Sequence, residues 1–286
     1  MKIIDAHVHF SNIGSFHDTA NRLSQLSYSY EGLLQEWKEN NVVAGVAMGV
    51  TETIHNNFPD YESQTPMGLD LADSVPRNLV HCVGINPFKM DERNKRELEL
   101  DLQKSNVVGI KIYLGYYPFY AYDEVYTPVY QLAAKYQVPV VFHTGDTYSE
   151  RGLLKYSHPL TLDEVAVNYR DINFVMAHFG DPWVLDGAEV VYKNRNMFAD
   201  LSGLIVGTEA EINRHRKTRF LNHLLHALDY CDHYEKLMFG TDWPLISTGS
   251  YITFIKEIIP EKYHQAVFFD TALKVFPKLR GFLPKN

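Results

Sequence analysis

Two histidines spaced two apart close the first apolar run of the chain, Ile3-Ile4-Asp5-Ala6-His7-Val8-His9-Phe10. In a strand, alternate residues share a face, so both imidazoles project the same way. With Asp5 they are expected to point inward while Ala6 and Val8 pack outward. Two neutral imidazoles on one edge suit a borderline-soft divalent ion such as zinc. Other apolar runs also end in polar residues. His143 follows Val140-Val141-Phe142 and precedes Thr144-Gly145; His178 holds the equivalent place before Phe179-Gly180. Asp242 follows Met238-Phe239-Gly240-Thr241 and precedes Trp243-Pro244. A carboxylate at an apolar strand end needs a cation or several donors to offset its desolvation; the bland alternative is a helix N-cap before Pro244. Lys111 lies inside Val107-Val108-Gly109-Ile110-Lys111-Ile112-Tyr113, and buried lysines are rare without a partner. It is read as pairing with a substrate carboxylate or a neighbouring acid. A sharper alternative is carbamylation, with Lys111 bridging two metals.

These residues share a site only if their strand ends converge. Short apolar runs cover 3–10, 42–50, 79–85, 107–114, 138–144, 174–179, 197–201 and 237–241. Eight runs rich in Val, Ile and Phe are what strands covered on both faces show. Helical patterns fill the gaps at 31–40, 91–104, 123–137, 161–168, 182–193, 207–231, 250–259 and 261–276. The helix from 161 opens on a Thr-x-x-Glu capping box, and 207–231 reads as one long amphipathic helix. Strand–helix alternation implies parallel strands with right-handed crossovers. A doubly wound sheet competes, but the chain has no G-x-G-x-x-G or Walker pattern. The expected architecture is a single-domain (β/α)8 TIM barrel spanning 1–286, with its chemistry at the C-terminal strand ends.

Composition narrows the partners. A hydrophobic fraction of 45% and a charged fraction of 22% are ordinary for a globular protein. The formal net charge of -8 argues against nucleic acid as the main partner. The basic stretch 214–219 reads as a solvated helix face. Cys82 and Cys231 are too few and too isolated for a disulfide framework, which fits a reducing, cytoplasmic setting. No leader pattern and no run of some 20 apolar residues is seen, so neither export nor a membrane span is expected.

Taken together, Asp5-Ala6-His7-Val8-His9, Gly109-Ile110-Lys111-Ile112-Tyr113, Pro139-Val140-Val141-Phe142-His143-Thr144-Gly145, Val175-Met176-Ala177-His178-Phe179-Gly180 and Phe239-Gly240-Thr241-Asp242-Trp243-Pro244 resemble the amidohydrolase superfamily. Within it they resemble the amidohydrolase-related group of largely mononuclear hydrolases and decarboxylases. The resemblance covers nearly the whole chain, and the order and spacing of the pieces carry it. It implies one divalent ion held by His7, His9, His143 and Asp242, with zinc favoured over manganese, iron or cobalt. It implies that Asp242 also takes a proton from the attacking water and that His178 lies near water and substrate. A second metal on a carbamylated Lys111 is the less favoured form. Asp270 stands where many relatives carry Asn. TatD-like nucleases place Glu where this chain has Lys111 and read Glu-Thr-Asp where it has Gly240-Thr241-Asp242.

The expected activity is hydrolysis of an ester, lactone or amide in a small molecule. His178 polarises the carbonyl, and Lys111, Tyr113 and the loop residue Arg151 contact the substrate. Non-oxidative decarboxylation of an aromatic or dienoic acid is the alternative on the same scaffold, suggested by Phe10, Tyr113, Tyr116, Tyr117, Phe119, Tyr120 and Tyr122 near strand ends. A non-catalytic ligand binder is the reading from another class. The loops 11–30 and 51–66 are expected to form part of a lid, with His17 and His55 as surface residues. A homodimer is implied by the habit of relatives.

Overall fold

The computed structural model describes residues 1–51, 66–67 and 71–284. Eight parallel strands form one sheet in chain order: β1 (Ile3–Val8), β2 (Val42–Met48), β3 (Leu79–Gly84), β4 (Val107–Ile112), β5 (Val140–Phe142), β6 (Phe174–Met176), β7 (Met197–Asp200) and β8 (Leu237–Met238). The sheet curls into a barrel. Its last seam is closed past the end of β8, where Ala6 N–H donates to Phe239 O (2.9 Å), Asp242 N–H to His7 O (2.8 Å) and His9 N–H to Trp243 O (2.7 Å). Those bonds bring the histidines of β1 beside Asp242. The (β/α)8 barrel expected from the alternating pattern is therefore the architecture observed.

Two apolar layers sort the strand residues. Ile4, Ala6, Val46, Cys82, Val141 and Phe198 pack together in the interior, plugged from below by Phe276 and Leu279 of the C-terminal segment. Val8, Ala47, Ile110, Phe142 and Met176 face outward against helical residues such as Leu33, Trp37, Leu98 and Ala133. The outer layer forms because each helix buries an apolar stripe on the strands. Helix Tyr30–Asn40 turns Leu33 and Trp37 inward, begins at Ser29, whose side chain accepts from Gly32 N–H, and ends on Asn41 in the left-handed region. Gly45 on β2 leaves room for the Trp37 ring, which would lie 2.5 Å from an added Cβ.

Several local expectations are corrected. Strict alternation fails in β1: three steps from Asp5 to Val8 oppose two on β2, from Gly45 to Ala47, so the pleat is interrupted. Ala6, two residues on from Ile4, packs inside with it, and Asp5 bonds Thr241 across the seam instead of accompanying the histidines. The pattern over 207–231 is two helices, Glu209–Arg216 and Asn222–Cys231. The Thr161 hydroxyl donates to His158 O (2.7 Å) and caps no helix N–H, so the capping box is not formed. The C-terminal pattern breaks into a turn at Glu261–Tyr263, a wide turn at Ala266–Asp270 and helix Thr271–Val275. Asp242 is not a helix N-cap, since the next helix starts at Thr248. Among the described residues, no helix is long and apolar enough to cross a membrane.

Candidate metal centre

β1 delivers His7 and His9 to the barrel mouth, β7 delivers Asp200, and the segment after β8 delivers Asp242, whose φ of 57° turns the chain sharply before Trp243. His178 follows β6 and adopts φ 62°, which folds its ring back over the mouth. Gly203 is the residue that makes this packing possible. With φ at +67°, an added Cβ would sit 2.8 Å from His178 Nδ1 and 3.0 Å from Asp242 Oδ2.

Hydrogen-bond partners decide which nitrogens carry protons. Asp200 Oδ2 lies 2.9 Å from His7 Nδ1, so that nitrogen is the donor and Nε2 keeps a bare lone pair. That lone pair faces Asp242 Oδ1 at 3.3 Å and has no hydrogen-bond partner among the described residues. His9 Nε2 lies 2.9 Å from the same oxygen, and the ring stacks on Phe16 at 4.4 Å. The ligand atoms of His7, His9 and Asp242 all fall within 4.8 Å of one another. Burial, then the nearby Lys111 charge, lowers the His7 pKa to about 4, so a proton does not bridge this gap near neutrality. Burial opposes ionisation of Asp242, yet His7 and His9 beside it hold its carboxyl well below the usual range. Buried electron pairs directed at one another need a cation between them. A divalent ion with nitrogen and oxygen ligands fits this donor set.

A facing pair stands beside that cluster. His143 Nε2 lies 2.8 Å from Asp146 O and His178 Nδ1 lies 3.1 Å from Ser202 O; both carbonyls require N–H donors. The remaining nitrogens, His143 Nδ1 and His178 Nε2, meet at 3.2 Å, within hydrogen-bond distance. Burial, with His178 and Lys111 adding to it, holds His143 far below its ordinary pKa. His178 Nδ1 is 3.9 Å from Asp242 Oδ2, and its ring centroid is 5.1 Å from that of His7. His143 lies outside the His7–His9–Asp242 group and next to His178.

Asp200 organises the arrangement and was missed in reading the sequence. Its Oδ1 accepts the N–H groups of His178 and Ser202 (both 3.1 Å) and the Ser202 hydroxyl, while Oδ2 holds His7. Burial would raise its pKa, but His7 holds it well below the carboxylate range. The available signal was the one that marked Asp242: a carboxylate ending an apolar run, here Met197-Phe198-Ala199-Asp200.

A cavity opens over these groups. His7, His9, His143, His178, Asp242, Lys111 and Tyr113 all line it, so seven of the eight residues singled out in the sequence converge. Arg151 is exposed on a turn and is not among the lining residues. Lys111 is fully buried, its Nζ has no hydrogen-bond partner among the described residues, and it sits 5.2 Å from the Tyr113 ring. Burial lowers its pKa to about 8, against the opposing pull of Asp200 and Asp242. The helix Gly14–Thr19 within the loop 11–30 contributes Ser15, Phe16 and Thr19 to the wall. His17 is half-buried and shares a hydrogen bond with Asn12 (2.9 Å). Of the loop 51–66, positions 52–65, including His55, lie outside the described residues.

A parallel eight-stranded barrel with a His/Asp cluster at its C-terminal mouth defines a (β/α)8 protein built around a candidate metal site. The Amidohydrolase family model matches residues 4–278, so the chain belongs to that metal-dependent family of enzymes. No curated protein sequence matches the chain. Among solved structures, it is similar to a probable 2-pyrone-4,6-dicarboxylic acid hydrolase from Acinetobacter baumannii with citric acid bound, at 17% identity and TM-score 0.66, covering 97% of this chain and 100% of that one. It is also similar to 5-carboxyvanillate decarboxylase from Sphingomonas paucimobilis, at 15% identity and TM-score 0.60, covering 96% and 99%. A third similar structure is an amidohydrolase from Burkholderia multivorans with bound zinc, at 16% identity and TM-score 0.62, covering 99% and 100%. At these identities the likeness speaks for the fold alone.

Proposed function

We propose that this chain is a metal-dependent hydrolase that cleaves an ester, lactone or amide bond in a small substrate. The observation that carries this reading is the convergence of His7 Nε2, whose lone pair has no partner among the described residues, with His9 Nε2 and Asp242 Oδ1. We assign His7, His9, His143 and Asp242 to one divalent ion, zinc first by ligand type and manganese, iron or cobalt as competitors. When bound, such an ion acts as a Lewis acid and lowers the pKa of a coordinated water from about 15.7 toward 7.

The remaining roles belong to the protein's own groups. Asp242 Oδ1 faces the histidines while Oδ2 faces His178, which lets one carboxylate accept a proton on the water side and release it toward the leaving group. His178, its Nδ1–H held by Ser202, steadies the developing oxyanion. Lys111 supplies the counter-charge for a substrate carboxylate, and Tyr113 provides a wall beside it. Two buried free cysteines accord with a cytoplasmic home.

A second reading is favoured by the aromatic wall of Phe16, Tyr113, Tyr116 and Tyr148 around the same cavity, which suits a flat ring. In that reading the enzyme protonates a ring carbon and releases CO₂. Elemental analysis of purified protein, followed by a metal-dependent screen of lactones, amides and aromatic acids, separates the two. Acid plus alcohol or amine supports hydrolysis, and CO₂ release without a new acid overturns it. Asp242→Asn is expected to cut turnover by roughly 10²–10⁴-fold with the fold intact; near-normal turnover would remove the proton role.

A further inference from the structure

Each histidine at the mouth has two ring nitrogens, and the outer one shows how the ring is held. For His7 that nitrogen is Nδ1, 2.9 Å from Asp200 Oδ2; for His143 it is Nε2, 2.8 Å from Asp146 O; for His178 it is Nδ1, 3.1 Å from Ser202 O. His9 breaks the series. Its Nε2 lies 2.9 Å from Asp242 Oδ1, but its buried Nδ1 has no hydrogen-bond partner among the described residues. What lies against His9 is a ring: Phe16 stacks on it with centroids 4.4 Å apart and planes inclined by 23°.

Phe16 is brought there by a segment clamped to both strand exits of the seam. It lies on helix Gly14–Thr19 and is buried. Further along, the Ser24 hydroxyl donates to Pro244 O (2.6 Å). The Tyr28 hydroxyl donates to Ser11 O (2.8 Å) and accepts Ser11 N–H (3.2 Å). Its ring packs 4.8 Å from that of Trp243 and 6.2 Å from that of Phe16. The segment 11–30 is thus tied to the residues just after His9 and just after Asp242, which fixes the Phe16 ring relative to both.

We infer that Phe16 is the positioning residue for His9, holding the ring by its face where the other three histidines are held by a hydrogen bond. This rests on the assignment of His9 to the ion and goes beyond it. An imidazole whose Nε2 is on a divalent ion becomes electron-poor, and the negative face of a phenyl ring attracts it. The stack therefore strengthens on metal binding, which a side chain that only fills space would not do. Phe16 also lines the cavity and belongs to the apolar core, so packing alone is the competing account.

The test strips metal from the full-length protein and titrates Zn²⁺ back against a chelating dye. The variants are Phe16→Tyr, Phe16→Leu, His9→Ala and the Phe16→Leu/His9→Ala double. Phe16→Leu should weaken Zn²⁺ by roughly three- to tenfold, the size of a partly desolvated cation–π contact, and Phe16→Tyr, which keeps the face, should stay within about twofold of the parent. In the His9→Ala background, Phe16→Leu should change the affinity little, because the coupling runs through that one ring. The visible bands of the Co²⁺-loaded protein should shift in Phe16→Leu and not in Phe16→Tyr. If Phe16→Leu does not fold, Phe16→Met, also without a π face, takes its place. Equal losses with and without His9, a Tyr variant as weak as the Leu one, or an unchanged affinity in Phe16→Leu would overturn the positioning role while leaving the metal assignment intact. A parent that binds no Zn²⁺ would remove the assignment itself, and the inference with it.

Discussion

At the scale of single residues, the site is a problem in proton placement. Asp200, through the bond from its Oδ2 to His7 Nδ1, decides which nitrogen of His7 is bare. Ligating histidines depend on such partners for tautomer and ring angle, and their loss typically costs 10–100-fold in metal affinity. Asp200→Asn is therefore expected to weaken zinc binding by about that factor, read by competition with a chromophoric chelator; unchanged affinity would show that the carboxylate does not orient the ring. Lys111 presents the opposite balance. Its folded pKa near 8 lies below the usual 10.5, so the folded chain binds the proton less tightly than the unfolded one. Stability should rise between about pH 8 and 10.5 and carry the full penalty below that window, ~3 kcal/mol for a shift of this size. Lys111→Met removes the penalty. Its melting temperature should exceed that of the parent at pH 7, with the gap closing as the pH approaches 10.5, while affinity for carboxylated ligands falls. A variant that melts lower at pH 7 would contradict this account.

Elements place these groups through short, tightly constrained exits. The loop after β5 turns at Gly145, whose N–H donates to Ser157 O (2.9 Å) and whose carbonyl accepts from the Ser157 hydroxyl (2.7 Å). Alanine there meets both an unfavourable φ and backbone atoms that cannot yield. Gly145→Ala should cost roughly 1–3 kcal/mol in denaturant unfolding and also weaken activity, because Asp146 O holds His143. Activity lost without stability, or the reverse, would separate the two roles assigned to this turn. The element boundaries also explain where pattern reading stops. No glycine or proline stands between Glu209–Arg216 and Asn222–Cys231, so pattern reading runs the two helices together. In β1 a period-two pattern is present, but the break in register between Asp5 and Val8 comes from pairing with β2.

For the whole molecule, the proposed metal would couple to the fold through the strand ends that carry its ligands, those of β1, β5 and β8. An ion that binds only the closed barrel stabilises it by mass action, about 2.7 kcal/mol at a hundredfold excess over Kd. Chelation should therefore lower both activity and melting temperature, and added Zn²⁺ should restore them together; a melting curve indifferent to chelator would place the cluster outside the folding balance. Much of this architecture is legible in the chain. Alternating apolar runs and helical stripes determine a parallel (β/α)8 barrel, because each segment can bury its apolar face only against the next. His-x-His, the histidines after β5 and β6 and the late Asp mark which strand ends carry polar groups, since such residues are costly at the end of an apolar run. Tertiary structure alone decides the rest: that Asp5 turns to Thr241, that Asp200 sets the His7 tautomer, and that Arg151 is exposed on a turn. Those outcomes depend on closing β8 against β1 and on loop backbones meeting across the mouth. Neither distance nor lone-pair direction between residues some 200 positions apart is encoded in any local pattern.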